Sequence, residues 1–110
     1  MQRDEYQVEY YQDSTGKVPF REWLEALRDA AAVARIRVRL GRIRLGNFGL
    51  VRSLGDGISE LKIDHGPGYR VYYAMSGKKI VLLLVGGDKS TQRKDIAKAK
   101  HYWQQYQEGE

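Results

Sequence analysis

The alternation of apolar and polar residues predicts a chain that mixes strands with helices. Residues 5–12 alternate with a period of two, which is typical of a half-buried strand. Apolar residues then recur at helical spacing over about 19–29 and 31–45, and Pro19 suits a first helical position. Because only a residue or two connects these segments, we expect them to form an antiparallel helical hairpin.

The second half of the chain predicts a meander followed by one more helix. Strands are expected near 50–54 and over 58–64, 69–75 and 79–85, since the segments between them have turn sequences. The last strand is apolar on both faces and should be central or covered on both sides. A helix capped by Ser90 or Thr91 should run to about residue 107. We therefore predict an α+β fold, in which an antiparallel sheet packs against the hairpin and the C-terminal helix in one domain, 1–110.

The register of the central strands can be derived from their apolar positions. Those of 58–64 and 69–75 must face the same core, and pairing residues whose numbers sum to 132 satisfies this. That pairing sets Lys62 directly opposite Arg70. Two cations at about 5 Å repel each other, whereas an anion bound between them would stabilise the pair. The alternative is that Arg70 is a solvated surface cation, paired with Glu60 or Asp64.

The charge balance favours an anionic partner. Nineteen Lys and Arg against fourteen Asp and Glu give a net charge of +5, which suits nucleic acid or an acidic protein. The chain has no cysteine, which excludes disulfides and thiolate metal sites, and we predict neither a metal nor a cofactor. The longest apolar run, 80–85, is too short to span a bilayer, so we expect a cytoplasmic protein without membrane contact.

Other basic residues are candidates for RNA contact. Five arginines occupy alternate or nearby positions over 35–44, and Lys94 and Lys98 lie one turn apart on the last helix. Ordinary solvation is the alternative for both groups. Tyr72 shares a face with Arg70 by alternation and could stack on a base, although tyrosines in strands more often pack across the sheet. The candidates for RNA binding are Arg35, Arg39, Arg42, Tyr72, Lys94 and Lys98.

One segment carries a family resemblance. G-x-x-E-L-K-x(5)-G-Y-R-V-Y-Y, an apolar strand, G-G-D-K-S-T-Q and a basic helix follow one another over residues 57–99. This order resembles the RelE/ParE toxin superfamily, and within it the phage-associated addiction module killer branch, which is similar to HigB-type toxins. The resemblance implies a toxin encoded beside an antitoxin of the helix-turn-helix kind. In RelE-like members it also implies a ribosome-dependent endonuclease that cuts mRNA in the A site.

The resemblance also implies roles for single residues. Arg70 corresponds to the arginine that stabilises the phosphate, and Lys62 to a lysine that acts as base or charge stabiliser. Lys89 corresponds to a basic residue in the loop before the last helix. In metal-independent RNA cleavage the 2′-hydroxyl attacks phosphorus, so a base, a charge stabiliser and an acid are all required. Arginine suits the second task, because its guanidinium has a fixed fork of donors.

The sequence departs from the RelE pattern at two positions. Glu60 stands where RelE-type nucleases have a second basic residue, and Ile96 where they have a stacking tyrosine. HigB-type members use histidines and an acidic residue instead, for which His65, Asp88 and His101 are candidates. Three functions therefore stay open: a ribosome-dependent mRNA endonuclease, a ParE-like inhibitor of DNA gyrase without a nuclease site, and a non-catalytic RNA-binding relative of the same fold.

Overall fold

A computed structural model describes residues 5–109 of the 110-residue chain. A short 3₁₀ turn, Lys89–Thr91, joins the last strand to the last helix. In chain order the strands and α-helices are β1 Gln7–Tyr10, α1 Pro19–Ala26, α2 Ala30–Arg44, β2 Val51–Gly55, β3 Ile58–Ile63, β4 Tyr69–Ser76, β5 Ile80–Asp88 and α3 Gln92–Glu108.

The five strands form one sheet in the order β1-β5-β4-β3-β2. Strands β2 to β5 form the predicted antiparallel meander. Strand β1 adds to the outer edge of β5 in the parallel direction, so the sheet is mixed and not purely antiparallel. The predicted α+β class is confirmed, and β5 is central, as its two apolar faces indicated.

The register derived from the core is also confirmed. Lys62 is the Cα partner of Arg70, and Ile63 that of Tyr69. One irregularity lies between β4 and β5, where Tyr72 pairs with Val85 but Tyr73 pairs with Leu83. This bulge shifts the alternation by one residue. As a result, Gly86 pairs with Val71 and Gly87 with Arg70 at the end of β5.

The sheet has a core on each face. On one face, α1 and α2 pack against β3, β4 and β5, with Phe20, Ile36 and Ile43 fully buried. On the other face, α3 covers Ile58, Leu82 and Leu84. The predicted apolar stripe of α3 faces this second core through Ile96, Ala99, Trp103 and Tyr106. α3 leaves the Lys62 end of β3 uncovered, since Lys62 is exposed.

Carboxylates cap two helical segments. The Asp29 side chain accepts from the Ala32 amide at 3.0 Å at the start of α2 and also contacts Nε2 of His65 at 3.1 Å. The hydrogen bond from the Ala32 amide, and the contact with His65, lower the pKa of the Asp29 carboxyl. Before α3, the carboxylate of Asp88 accepts from the Ser90 amide, so Asp88 caps the 3₁₀ turn. Thr91 takes the N-cap position of α3 as predicted, although its side chain makes no capping bond there.

Candidate functional site

Lys62 and Arg70 line the same open cleft on the α3 face of the sheet. We call it the strand cleft. It has a volume of about 220 Å³ and lies between the edge strand β2 and the start of α3. Its lining residues are Leu50, Val51, Arg52, Glu60, Lys62, Arg70 and Gln92.

Arg70 is held rigidly in the strand cleft. Its Nε donates to Oε1 of Glu60 at 3.0 Å, and its Nη1 donates to the carbonyl oxygen of Gly68 at 2.7 Å. Nη2 has no hydrogen-bond partner within residues 5–109. The GPG turn before β4 thus supplies a carbonyl that fixes the guanidinium, and one nitrogen of the donor fork stays available to a ligand.

Glu60 is the centre of a polar network. Besides Arg70, it accepts from Nε2 of Gln92 at 3.1 Å and pairs with Nη2 of Arg52 at 3.2 Å. Glu60 is only 5% exposed, whereas the Arg52 side chain is 67% exposed. A buried carboxylate requires such partners, because its desolvation costs several kcal/mol, roughly, which only ion pairs and hydrogen bonds of good geometry offset.

This network shows that Arg70 is not the solvated surface cation considered as the alternative, although its pairing with Glu60 was considered there. Arg70 is only 7% exposed, and its partner is Glu60, the first of the two carboxylates considered as alternatives. The repulsion between Arg70 and Lys62 is therefore offset by a carboxylate on the same face. An anion is not needed to explain why Arg70 stands there, although the free Nη2 still allows one to bind.

Lys62 differs from Arg70 because it is exposed. Strand β2 pairs with β3 only as far as Leu61, so the backbone of Lys62 lies at an open edge. Nη1 of Arg39 donates to the Lys62 carbonyl oxygen at 3.0 Å across this edge. The Lys62 ammonium thus stands on the rim of the strand cleft, and its backbone is held by α2.

Three of the predicted RNA-binding arginines lie together. Arg35, Arg39 and Arg42 line one cleft of about 350 Å³ between α2 and the end of β3, which we call the arginine cleft. Arg39 connects it to the strand cleft through its bond to Lys62. The side chains of Arg35 and Arg42 make no ion pair or hydrogen bond within residues 5–109. Both guanidinium groups are therefore free to bind phosphates.

The stacking role predicted for Tyr72 is wrong in this structure. The residue is 0% exposed and belongs to the core under α3, so a base cannot reach its ring. Its hydroxyl has no hydrogen-bond partner within the described chain. Burial, with the negative charges of Glu60 and Asp95, raises the pKa of Tyr72 well above its usual range. The packing alternative is the correct one.

The remaining candidates lie outside the strand cleft. Lys89 is exposed in the 3₁₀ turn and is not part of the cleft lining. Lys94 and Lys98 line a separate cavity between α1 and α3. His65 contacts Asp29, and Asp88 accepts from Ser90 in its own turn, so both have structural partners. Four of these candidates are exposed to solvent: Lys89, Lys94, Lys98 and His101.

Sequence reasoning missed two members of the polar network. Arg52 is the cross-strand partner of Glu60, and pairing β2 with β3 by register would have identified it. Gln92 comes from α3, whose docking position has no short-range sequence signal. No cluster of three or more His, Cys, Asp or Glu in residues 5–109 is arranged to hold a metal ion. Likewise, no helix in that range is long and apolar enough to cross a membrane.

Comparison with known proteins places the chain in a family. An uncharacterized protein from Haemophilus influenzae (strain ATCC 51907 / DSM 11121 / KW20 / Rd) is 52% identical over 81 residues, which cover 74% of this chain and 82% of that protein. The sequence profile described as "Phage derived protein Gp49-like (DUF891)" matches residues 21–104, which include both clefts and most of α3. The chain therefore belongs to the Gp49-like family of phage-derived proteins.

Proposed function

We propose that this protein is the toxin of a type II toxin–antitoxin pair and that it cleaves mRNA on the ribosome. The Gp49-like family fits a toxin–antitoxin context, which supports the first half of the proposal. The second half rests on one observation. Lys62 and Arg70 line the same cleft, and Arg70 is fixed with one guanidinium nitrogen unoccupied.

The strand cleft offers groups for each step of metal-independent cleavage. Nη2 of Arg70 would bind a non-bridging oxygen of the scissile phosphate and stabilise the charge that develops there. The Lys62 ammonium would lower the cost of forming the 2′-alkoxide and would donate a proton to the 5′-oxygen as the bond from phosphorus to that oxygen breaks. Glu60 is the carboxylate of the cleft and would accept the 2′-hydroxyl proton once the exposed Arg52 moves aside.

The arginine cleft would bind the nucleic acid beside the reaction. Arg35 and Arg42 have free guanidinium groups, and Arg39 ties this cleft to the backbone of Lys62. A chain of phosphates could therefore follow a basic surface from α2 to the strand cleft. Such a surface suits ribosomal RNA, because phosphate contacts position a protein without reading the sequence.

The first expected result concerns toxicity and target. Expression of the chain alone should arrest bacterial growth, and co-expression of a small helix-turn-helix protein encoded beside it should restore growth. Toeprinting of translating ribosomes should then show new cuts in the A site. Inhibition of supercoiling by purified gyrase, without such cuts, would assign the chain to the ParE-like alternative. Unimpaired growth at verified soluble expression would reject the toxin function altogether.

A second expected result concerns the salt dependence of ribosome binding. If about four phosphates are engaged, log K against log salt should fall with a slope of roughly −3 to −4. Replacing both Arg35 and Arg42 by glutamine should make the slope shallower by roughly 1.5 to 2, because each removes one phosphate contact. Lys78→Gln, in the exposed turn between β4 and β5, is the matched control and should leave the slope unchanged. A wild-type slope near zero contradicts the phosphate-contact proposal.

A further inference from the structure

A further cavity, to which no role has been assigned above, lies at the free edge of β5. Strand β1 pairs with β5 only over Ile80–Leu83, so the last residues of β5 have no strand on that side. The cavity there has a volume of about 520 Å³, is open to solvent and lies between α1 and α3. This volume is within the range of roughly 300–1,000 Å³ that small-ligand sites occupy. We call it the β5-edge cavity.

Two glycines form its floor. A Cβ on Gly86 would overlap the ring of Trp23, and one on Gly87 would overlap the carboxylate of Asp95. The absence of side chains lets these two groups lie directly on the backbone of β5. An unpaired strand edge also presents N–H and C=O groups to a ligand. The floor therefore combines backbone polar groups with one aromatic ring and one carboxylate.

Trp23 supplies a flat, fixed wall. Its ring is half-buried and packs between Phe20, at a centroid distance of 5.7 Å, and Tyr69, at 6.2 Å. These contacts restrict its rotation, while its remaining surface lines the cavity. A tryptophan in such a position can stack on a nucleobase, as aromatic side chains do in proteins that bind single-stranded nucleic acid.

Asp95 is a buried carboxylate in the lining of the cavity. It is only 6% exposed, and its Oδ2 accepts from the Thr91 hydroxyl at 2.5 Å. Oδ1 has no donor within residues 5–109, and no cation there pairs with this carboxylate. Two other carboxylates of the lining are already occupied, since Asp13 accepts from Thr15 and Asp88 from Ser90. Asp95 is therefore a buried acceptor that faces the cavity without a counter-ion.

We propose that the β5-edge cavity binds a nucleobase and selects guanine. Guanine is the base whose Watson–Crick edge presents two adjacent N–H donors, from N1 and N2. One would reach Oδ1 of Asp95, and the other the second lone pair of Oδ2, which the bond from Thr91 leaves open. Lys94 and Lys98 line the same cavity and would meet the attached phosphate. Trp23 would stack on the ring. Each part of a guanine nucleotide thus has a matching group.

The position of the cavity connects it to the proposed cleavage site. Gly87, in its floor, is the Cα partner of Arg70 on the neighbouring strand. Gln92 at the start of α3 lines the strand cleft, and Lys94 and Asp95 of the same helix line the cavity. The base bound here would therefore belong to a nucleotide near the scissile phosphate. This link to cleavage rests on the proposed function. It adds that the protein prefers to cleave mRNA where a guanine lies near the scissile phosphate.

Binding of free nucleotides tests the site without cleavage. Calorimetric titration of the full chain with the 5′-monophosphates of the four ribonucleosides should show GMP binding at least tenfold more tightly than AMP, CMP or UMP. Asp95→Asn keeps the shape but loses the second acceptor, and it should abolish this preference while the protein stays folded by thermal melting. Glu25→Gln changes an exposed carboxylate of α1 that is not part of the cavity lining, and it should leave GMP binding unchanged.

The NMR signal of the Trp23 indole N–H gives a second measurement. It should shift on addition of GMP, while that of Trp103, which packs in the core under α3, should not. Equal affinity for all four nucleotides, no saturable binding, or a GMP preference that survives in Asp95→Asn would each overturn the inference. A-site cleavage without GMP binding would reject this site alone, and GMP binding without cleavage or toxicity would reject the proposed function alone.

Discussion

Replacing Arg70 by alanine is expected to reduce single-turnover mRNA cleavage on programmed ribosomes by on the order of 100-fold or more. Loss of one preorganised charge-stabilising donor typically costs about 10² to 10³ in rate. Lys62→Ala should lose a comparable factor, because it removes the second cation of the strand cleft. Ribosome affinity should change little in either variant. The measurement is the cleavage rate beside the thermal melting curve of each protein.

The two variants should differ in stability. Lys62 is exposed, so its removal should leave the free energy of unfolding nearly unchanged. Arg70→Ala leaves Glu60 buried without its closest partner, and we expect a loss of about 3 kcal/mol, the low end for breaking a buried pair. The low end applies because Gln92 and Arg52 still contact Glu60. Arg70→Ala therefore does not simply relieve the repulsion with Lys62 that the register indicates.

A double variant separates catalysis from folding. Glu60→Leu combined with Arg70→Met replaces the buried pair by apolar residues, which is often neutral or stabilising. This protein should melt near the wild type and yet be inactive. Arg70→Lys should recover only part of the rate, because a point charge lacks the guanidinium fork. Full activity in a folded protein without Arg70 would show that the arginine is structural and would favour the gyrase-binding alternative.

Replacing Gly86 by alanine should destabilise the fold by at least about 3 kcal/mol, the upper end for overpacking a core. The added methyl group would overlap the ring of Trp23, which cannot move freely because it packs against Phe20 and Tyr69. Gly86 has no positive φ, so the effect is steric and not conformational. Urea denaturation measures the difference.

Gly41 provides the matched control. It lies inside α2 with nothing within 4 Å of the position of a Cβ. Gly41→Ala should therefore stabilise the protein by about 0.5–1 kcal/mol through the higher helix propensity of alanine. Trp23→Leu in the Gly86→Ala background should recover part of the lost stability by vacating space. Equal midpoints for Gly86→Ala and Gly41→Ala would contradict the close approach of α1 to the sheet.

Periodicity and register determined the framework of this protein. The period of two over 58–64 and 69–75 was enough to set Lys62 opposite Arg70, because a slip of one residue would turn a whole apolar face to solvent. The helices were predictable for the same reason, since the stripes of α2 and α3 match the faces that they bury. The strand register and the helices depend on residues that are close in sequence or that face each other directly across a strand pair.

Only the tertiary structure decided what those residues contact. Whether Arg70 is solvated or buried depends on where β2 and α3 bring Arg52 and Gln92 to Glu60, and these positions are set by packing over distances that no short pattern encodes. The burial of Tyr72 under α3 and the parallel addition of β1 to β5 have the same cause. The β5-edge cavity exists because β1 stops short of Gly86, so helices from opposite faces of the sheet meet at an unpaired strand edge.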